Sequence, residues 1–121
     1  MMTTDLAVRE NNGHLEVWVL SSLTIMNAAA VRSAVLSVWE QHGKPQPLIL
    51  DLAAANPIDS SGMGELLEIS RRTEAAGARL VLRGLGQVPR RMLDRTGLGM
   101  LFQIAEAGPP TAPDLTCPYR S

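Results

Sequence analysis

Two short, mostly apolar segments that read as extended open the chain, Leu6 to Arg9 and His14 to Leu20, with Asn11-Asn12-Gly13 between them. Asparagine and glycine take positive φ at low cost, so the pattern predicts an antiparallel hairpin. From Thr24 or Asn27 to about Gln41, the residues Ala28, Val31, Val35 and Val38 recur at spacings of three, four and three, which marks one stripe of a helix. Gly43 ends that helix, and Pro45 and Pro47 keep it ended. Leu48 to Ala53 is an apolar run between breakers, too short for a helix, and reads as a buried strand. Asn56-Pro57 then opens a loop that delivers Asp59-Ser60-Ser61-Gly62-Met63-Gly64. Past it, Met63, Leu66, Leu67 and Ser70 share one face of a second helix that runs to about Arg72 and is closed by Gly77. Ala78 to Arg83 is the next buried strand, and Gly84-Leu85-Gly86 leads to a third helix starting near Pro89, a residue suited to a first turn. Thr96-Gly97-Leu98 predicts its C-cap, with Gly97 in the left-handed position. Leu101 to Ala105 reads as a last strand, after which Pro109, Pro110, Pro113 and Pro118 oppose regular structure and predict a loose tail.

The order strand, strand, helix, strand, helix, strand, helix, strand predicts an α/β layer fold. Its expected form is a mixed sheet of four to five strands that opens with the hairpin, becomes parallel beyond it, and packs against three main helices. Length agrees: 121 residues with 45% hydrophobic content suit one domain. A domain over 5–106 followed by a Pro-rich tail over 107–121 is the expected organisation. Net charge is -1 and only 3% of residues are aromatic, a poor basis for a nucleic-acid groove built on basic charge and base stacking. No apolar run approaches the roughly 20 residues of a membrane span, and no basic-then-apolar signal segment opens the chain, so a cytoplasmic protein without membrane contact is expected. The single cysteine, Cys117, cannot form an internal disulfide.

The chemistry concentrates at residues 59–64. Ser60 and Ser61 stand at a helix N-terminus, where unpaired backbone N–H groups and the positive end of the macrodipole favour an anion such as a serine-borne phosphate. The same stretch also reads as a plain N-cap, with a serine hydroxyl satisfying one backbone N–H. Gly62 and Gly64 leave bare backbone that another molecule could approach closely. Asp59 adjoins Ser60, with Asp51, Glu65 and Glu68 expected nearby, so a phosphate here would deepen an already negative surface. Elsewhere the signals are weaker. Gly84-Leu85-Gly86 lacks both the third glycine of a dinucleotide fingerprint and the lysine of a phosphate loop, and reads as a turn. Arg83, Arg90, Arg91 and Arg95 could gather around the third helix, though solvated charges are the simpler reading. His14 and His42 have no carboxylate or cysteine at ligand spacing, which argues against a metal site. Trp18, Trp39, Met63 and Met100 have core or half-core positions, and Met63 beside the serines also suits an adaptable contact at an interface.

The strand Leu48-Ile-Leu-Asp51-Leu52, the short loop, Ile58-Asp59-Ser60-Ser61-Gly62-Met63-Gly64, the helix after it and the strand Ala78 to Arg83 together resemble the STAS family. That family is the domain shared by sulphate transporters and anti-sigma factor antagonists, and the likeness covers about residues 5 to 106. Met92-Leu-Asp-Arg-Thr-Gly97-Leu98 resembles the family's segment before its last strand. The resemblance implies a non-enzymatic regulatory module without cofactor, in which the first serine after the aspartate, here Ser60, is phosphorylated and Ser61 is only its neighbour. Implied partners are an anti-sigma factor serine kinase of the histidine-kinase-like ATPase fold and a metal-dependent serine/threonine phosphatase. Asp59, Ser60, Ser61, Gly62, Met63 and Gly64 are the implied partner-binding residues. Two features depart from the pattern: Ser21-Ser22-Leu23-Thr24 stands where the family usually has Gly-x-Leu-Asp, and the expected C-terminal helix gives way to the proline-bearing tail. The second leaves part of the sheet needing another cover, a partner or a second copy in a homodimer. Two other readings stand beside this one: a scaffold subunit in a signalling or transporter complex whose serine is never modified, and a serine hydrolase using Ser60. The hydrolase lacks a Gly-x-Ser-x-Gly elbow and a late histidine.

Overall fold

In the computed structural model, which describes residues 5–105, Asn12 and Gly13 take φ of 54° and 86° and close a two-residue hairpin. It joins β1 (Leu6–Asn11) to β2 (His14–Val19), antiparallel in a register from Leu6 opposite Val19 to Asn11 opposite His14. Positive φ at both turn residues matches the twist of the flanking strands, as the Asn-Gly signal predicts. The expected tail over 107–121, Cys117 within it, lies outside the described residues.

Helix α1 (Ala28–Gln41) buries Ala28, Val31, Val35, Leu36 and Trp39, and leads to β3 (Leu48–Asp51). Helix α2 (Ser60–Ala75) follows, then β4 (Leu80–Arg83), α3 (Gln87–Thr96), a 3-10 turn over Leu98–Leu101 and β5 (Gln103–Ala105). The strands lie in the order β1-β2-β3-β4-β5, parallel from β2 onward, so the mixed sheet expected from the sequence is present with five strands. Several ends shift. Helix α2 runs three residues past Arg72 because Thr73 is fully buried and Arg72 pairs with Glu68 one turn back. Helix α3 begins two residues before Pro89, which then occupies the first turn, where its missing N–H costs nothing. Gly97 holds the left-handed C-cap at φ 77°, and the chain takes the short 3-10 turn before β5, which is two residues shorter than expected.

Each parallel crossover steps one strand in the same direction, and right-handed connections then put every helix on one side. Accordingly one core joins Leu15, Val17, Val19, Leu48, Leu50, Leu80 and Leu82 to Val35 and Trp39 of α1, Met63, Leu66 and Ile69 of α2 and Leu93 of α3. Alternation along the strands sends the other set to the opposite face. There the register aligns Arg9 with Glu16, Ala7 with Trp18, Trp18 with Asp51 and Asp51 with Arg83.

That second face is held by charge. Arg9 donates from Nε and Nη2 to Glu16 Oε1 at 2.9 and 2.6 Å. Arg83 donates from Nε to Asp51 Oδ2 at 2.8 Å and from Nη1 to Glu16 Oε2 at 3.4 Å. The same two guanidinium groups lie over the Trp18 ring, 5.3 and 5.6 Å from its centroid, and their planar, weakly hydrated cations suit that stacking. Trp18 itself is buried, and among the described residues its indole N–H has no hydrogen-bond partner.

Burial pushes the Glu16 carboxyl up, but hydrogen bonds and charge from Arg9 and then Arg83 outweigh it and hold the group below its ordinary value. A carboxylate depressed on folding contributes stability above its unfolded value and loses it as pH falls through the folded one. Thermal denaturation across the acid range should therefore show stability declining below the ordinary glutamate range, with Glu16→Gln less stable at neutral pH and flatter in its acid dependence. An unchanged slope in the variant would remove Glu16 from the acid-sensitive groups.

Candidate functional site

Strands β2, β3 and β4 are parallel, so their carboxyl ends and the N-termini of α1, α2 and α3 meet at one edge of the sheet, the usual position for a site in such folds. Two loops are stitched together there. Leu23 forms a parallel bridge with Ile58: its N–H donates to the Pro57 carbonyl at 2.9 Å and its carbonyl accepts from Asp59 N–H at 3.0 Å. Both apolar side chains are buried, which seals the edge of the core.

Asp59 is the N-cap of α2, in extended conformation, and its Oδ1 accepts from Gly62 N–H at 2.9 Å. Its Oδ2 accepts from Ile25 N–H at 3.1 Å, reaching a residue 34 positions earlier in the chain. The hydrogen bond from Gly62 does most to hold this carboxyl below its usual range; burial opposes it, and the hydrogen bonds from Ile25 and then Ser61 add to the lowering. It is an ionised cap with both oxygens engaged.

With Asp59 as the cap, Ser60 becomes the first helical residue. It is exposed, and among the described residues its hydroxyl has no hydrogen-bond partner. Ser61 is half-buried beside it. The plain capping role therefore belongs to Asp59 and neither serine performs it. Gly62 is buried, and a β-carbon there would collide with the Leu23 carbonyl oxygen, so this glycine serves close packing of α2 on the loop rather than access for another molecule. Gly64 is exposed, with nothing within 4 Å of a β-carbon. Met63 is 2% exposed and belongs to the core, so the interface role expected for it is corrected to that of a packing residue.

The expected ring of acids also changes. Asp51 is buried against Arg83, Glu65 accepts from Arg32 Nη1 of α1 at 2.6 Å, and Glu68 pairs with Arg71 and Arg72 at 2.9 and 2.8 Å. These carboxylates are neutralised, which leaves Asp59 as the local negative charge. Of the four arginines that could gather around the third helix, Arg83 sits on the sheet paired with Asp51, while Arg90, Arg91 and Arg95 all lie on α3, where Arg91 and Arg95 line a cleft of about 350 Å³ with Val88, Met92 and Thr96. His14 starts β2 and His42 follows α1, so both occupy the edge opposite Ser60, roughly 17 Å away along a six-residue strand, too far to activate a serine. Among the described residues no cluster of histidine, cysteine or acid could hold a metal, and no helix is long and apolar enough to cross a membrane.

Sequence reasoning missed the loop before α1. Asn27 fixes it: Oδ1 accepts from Thr24 N–H at 3.0 Å and Nδ2 donates to the Ser22 carbonyl at 2.7 Å. Thr24 Oγ1 in turn accepts from Met26 N–H at 3.3 Å. An asparagine ahead of three alanines was the available signal, since such a residue competes well for local backbone groups.

Opposite stability effects are expected at the two glycines. Gly62→Ala should cost about 1–3 kcal/mol through the overlap with Leu23, whereas Gly64→Ala should gain up to about 1 kcal/mol from helix propensity alone. Chemical denaturation of both variants checks this, and a neutral Gly62→Ala would show that the loop yields.

Comparison with known proteins agrees with this geometry. No curated protein sequence matches the chain. Among solved structures, an anti-sigma factor antagonist from Mycobacterium paratuberculosis is similar at 22% identity and a TM-score of 0.71, over 84% of this chain and 85% of that one. The phosphorylated form of the Bacillus cell fate determinant SpoIIAA is similar at 20% identity and a TM-score of 0.64, over 89% and 96%. A murine anion transporter, Solute Carrier 26 family member A9, matches at 20% identity and a TM-score of 0.71 over 83% of this chain, which spans 17% of the transporter. These likenesses establish a shared fold. The profile of the STAS domain matches residues 5–109, and with a five-stranded mixed sheet, three helices on one face and the Asp59-capped second helix in place, the chain belongs to the STAS domain family.

Proposed function

We propose that this chain is a regulatory protein-binding module, an anti-sigma factor antagonist switched by phosphorylation of Ser60 in a partner-switching pathway. The observation that carries the reading is the division of labour at α2: Asp59 caps the helix with both oxygens engaged, while the adjacent Ser60 hydroxyl is exposed and unused. Its likeness in fold to the M. paratuberculosis antagonist and to phosphorylated SpoIIAA supports the same role.

In the unmodified state the surface around Ser60 is small, and its charge is that of Asp59. That suits docking to an anti-sigma factor serine kinase of the histidine-kinase-like ATPase fold, which frees a sigma factor. A phosphate on Ser60 adds about -1.5 to -2 charges beside an ionised carboxylate. A partner that must desolvate this surface then meets repulsion and an added desolvation cost, and docking ends without rearrangement of the fold. A metal-dependent serine/threonine phosphatase resets the switch. The protein itself is not an enzyme in this scheme.

Incubation with such a kinase and ATP, followed by intact-mass measurement, should add one phosphate to the wild type and none to Ser60→Ala. Ser60→Asp should weaken kinase binding at least tenfold with a nearly unchanged thermal midpoint, because the hydroxyl supports no contact in the fold. A wild type that no such kinase modifies would leave the scaffold role as the better account.

A further inference from the structure

Among the described residues, five large apolar side chains are more than half exposed: Ile25 at 77%, Met26 at 83%, Val88 at 69%, Met100 at 90% and Leu101 at 53%. Scattered exposed apolar residues are ordinary, but an adjacent pair held rigidly beside a candidate site is informative. Ile25 and Met26 are such a pair. The loop that carries them is fixed by four side-chain hydrogen bonds, two of them from their own N–H groups: Ile25 N–H to Asp59 Oδ2, Met26 N–H to Thr24 Oγ1, Thr24 N–H to Asn27 Oδ1, and Asn27 Nδ2 to the Ser22 carbonyl. The carbonyl of Thr24 also accepts from both Asn27 N–H and Ala28 N–H, at 3.0 and 2.7 Å. So much order in a loop with little buried side-chain area holds two apolar groups out in solvent at a defined place.

That place adjoins the acceptor serine. Ile25 N–H lies 3.1 Å from Asp59 Oδ2, and Asp59 is covalently joined to Ser60. A protein that docks with a typical interface buries roughly 800 Å² on its partner, a disc of about 16 Å radius. A footprint of that size centred on the Ser60 hydroxyl reaches the loop that carries Ile25 and Met26. Buried apolar side chains near the centre of an interface carry most of its affinity, and a preordered loop pays little entropy on binding.

We propose that Ile25 and Met26 form the apolar anchor by which the protein that phosphorylates Ser60 holds this chain, with Asp59 fixing the anchor in register with the acceptor. The occupant is that kinase, presenting an apolar cleft next to its nucleotide site. The proposal deepens the switch reading and rests on it. It also explains how one phosphate suffices: the new dianion stands at the margin of the anchor, where the partner must exclude water.

The experiment uses the full chain and a purified kinase that modifies Ser60. Binding is measured by calorimetry and phosphorylation by initial rates, for the wild type, the double variant Ile25→Ser/Met26→Ser, and Met100→Ser. Met100 is equally apolar and exposed, but it follows α3 at the opposite edge of the sheet. The double variant should bind at least tenfold more weakly and raise KM for Ser60 phosphorylation by a similar factor, with kcat and thermal midpoint near the wild-type values. Met100→Ser should match the wild type. A double variant within twofold of a wild type that is phosphorylated overturns the anchor and leaves the switch standing. Failure of the wild type to be phosphorylated overturns the switch and the anchor with it. Equal losses in Met100→Ser, or a free protein whose sedimentation falls from dimer to monomer in the double variant, would assign the pair to nonspecific adhesion or to self-association and also overturn it.

Discussion

One carboxylate, that of Asp59, ties the start of α2 to the loop ahead of α1, and the edge of the molecule that carries Ser60 depends on that tie. Its two oxygens accept from Gly62 and Ile25, while its own N–H reaches the Leu23 carbonyl. The bonds need an ionised group with two free acceptors in a narrow space, and Gly62 supplies the space by presenting no side chain to Leu23. A consequence follows for Ser60. Were its hydroxyl the cap, esterification would remove an acceptor from the helix terminus and tax the fold. Because the neighbouring acid does the capping, the hydroxyl can carry a substituent at no cost to α2.

The sheet beneath is asymmetric for a topological reason. Sequential right-handed crossovers place all three helices on one side, so the apolar alternation of β2, β3 and β4 is spent there. The opposite side carries Arg9, Glu16, Trp18, Asp51 and Arg83, and these are satisfied largely by one another. This network bears on the edge where the loops begin. Asp51 ends β3 and accepts both from Arg83 at the end of β4 and from Ala53 N–H in the loop toward α2. Gly84 then turns at φ 77°, where a β-carbon would crowd Ala53 and Asp51 at 3.0 Å. Charge pairing on one face thus sets where the loop to Ser60 departs.

Much of this was legible in the residues because it is local. Asn12-Gly13 states the hairpin, Gly97 states the end of α3, and the spacing of Ala28, Val31 and Val35 states the face of α1. The exposure of Ser60 was less so, since Asp59, Ser60 and Ser61 are all good capping types and only geometry selects among them. What the residues could not state is pairing at a distance. Arg32 with Glu65 and Arg83 with Asp51 join residues more than thirty positions apart, through helix packing and sheet register. Four acids that look like one negative patch in the sequence therefore become one charged group and three neutralised pairs. Gly62 shows the same limit: bare backbone reads as access, but whether it faces solvent or Leu23 is decided by the fold.

The low charge around Ser60 changes the meaning of Thr24, a neutral residue where the resemblance to the family pattern implies an acid. An acid there would add a permanent negative charge beside Ser60 and make the surface anionic with or without a phosphate. With Thr24 neutral and Glu65 and Glu68 paired, the unmodified surface holds about one negative charge, partly offset by the positive end of α2. A phosphate on Ser60 would take it to about -3, so nearly the whole electrostatic difference between the two states would come from the modification itself. Discrimination depends on the difference between states, not on the total charge. Under the proposed switch, a neutral Thr24 would therefore sharpen the contrast available to a partner, and the apolar pair that follows it would supply attraction that an acid would otherwise have to offset.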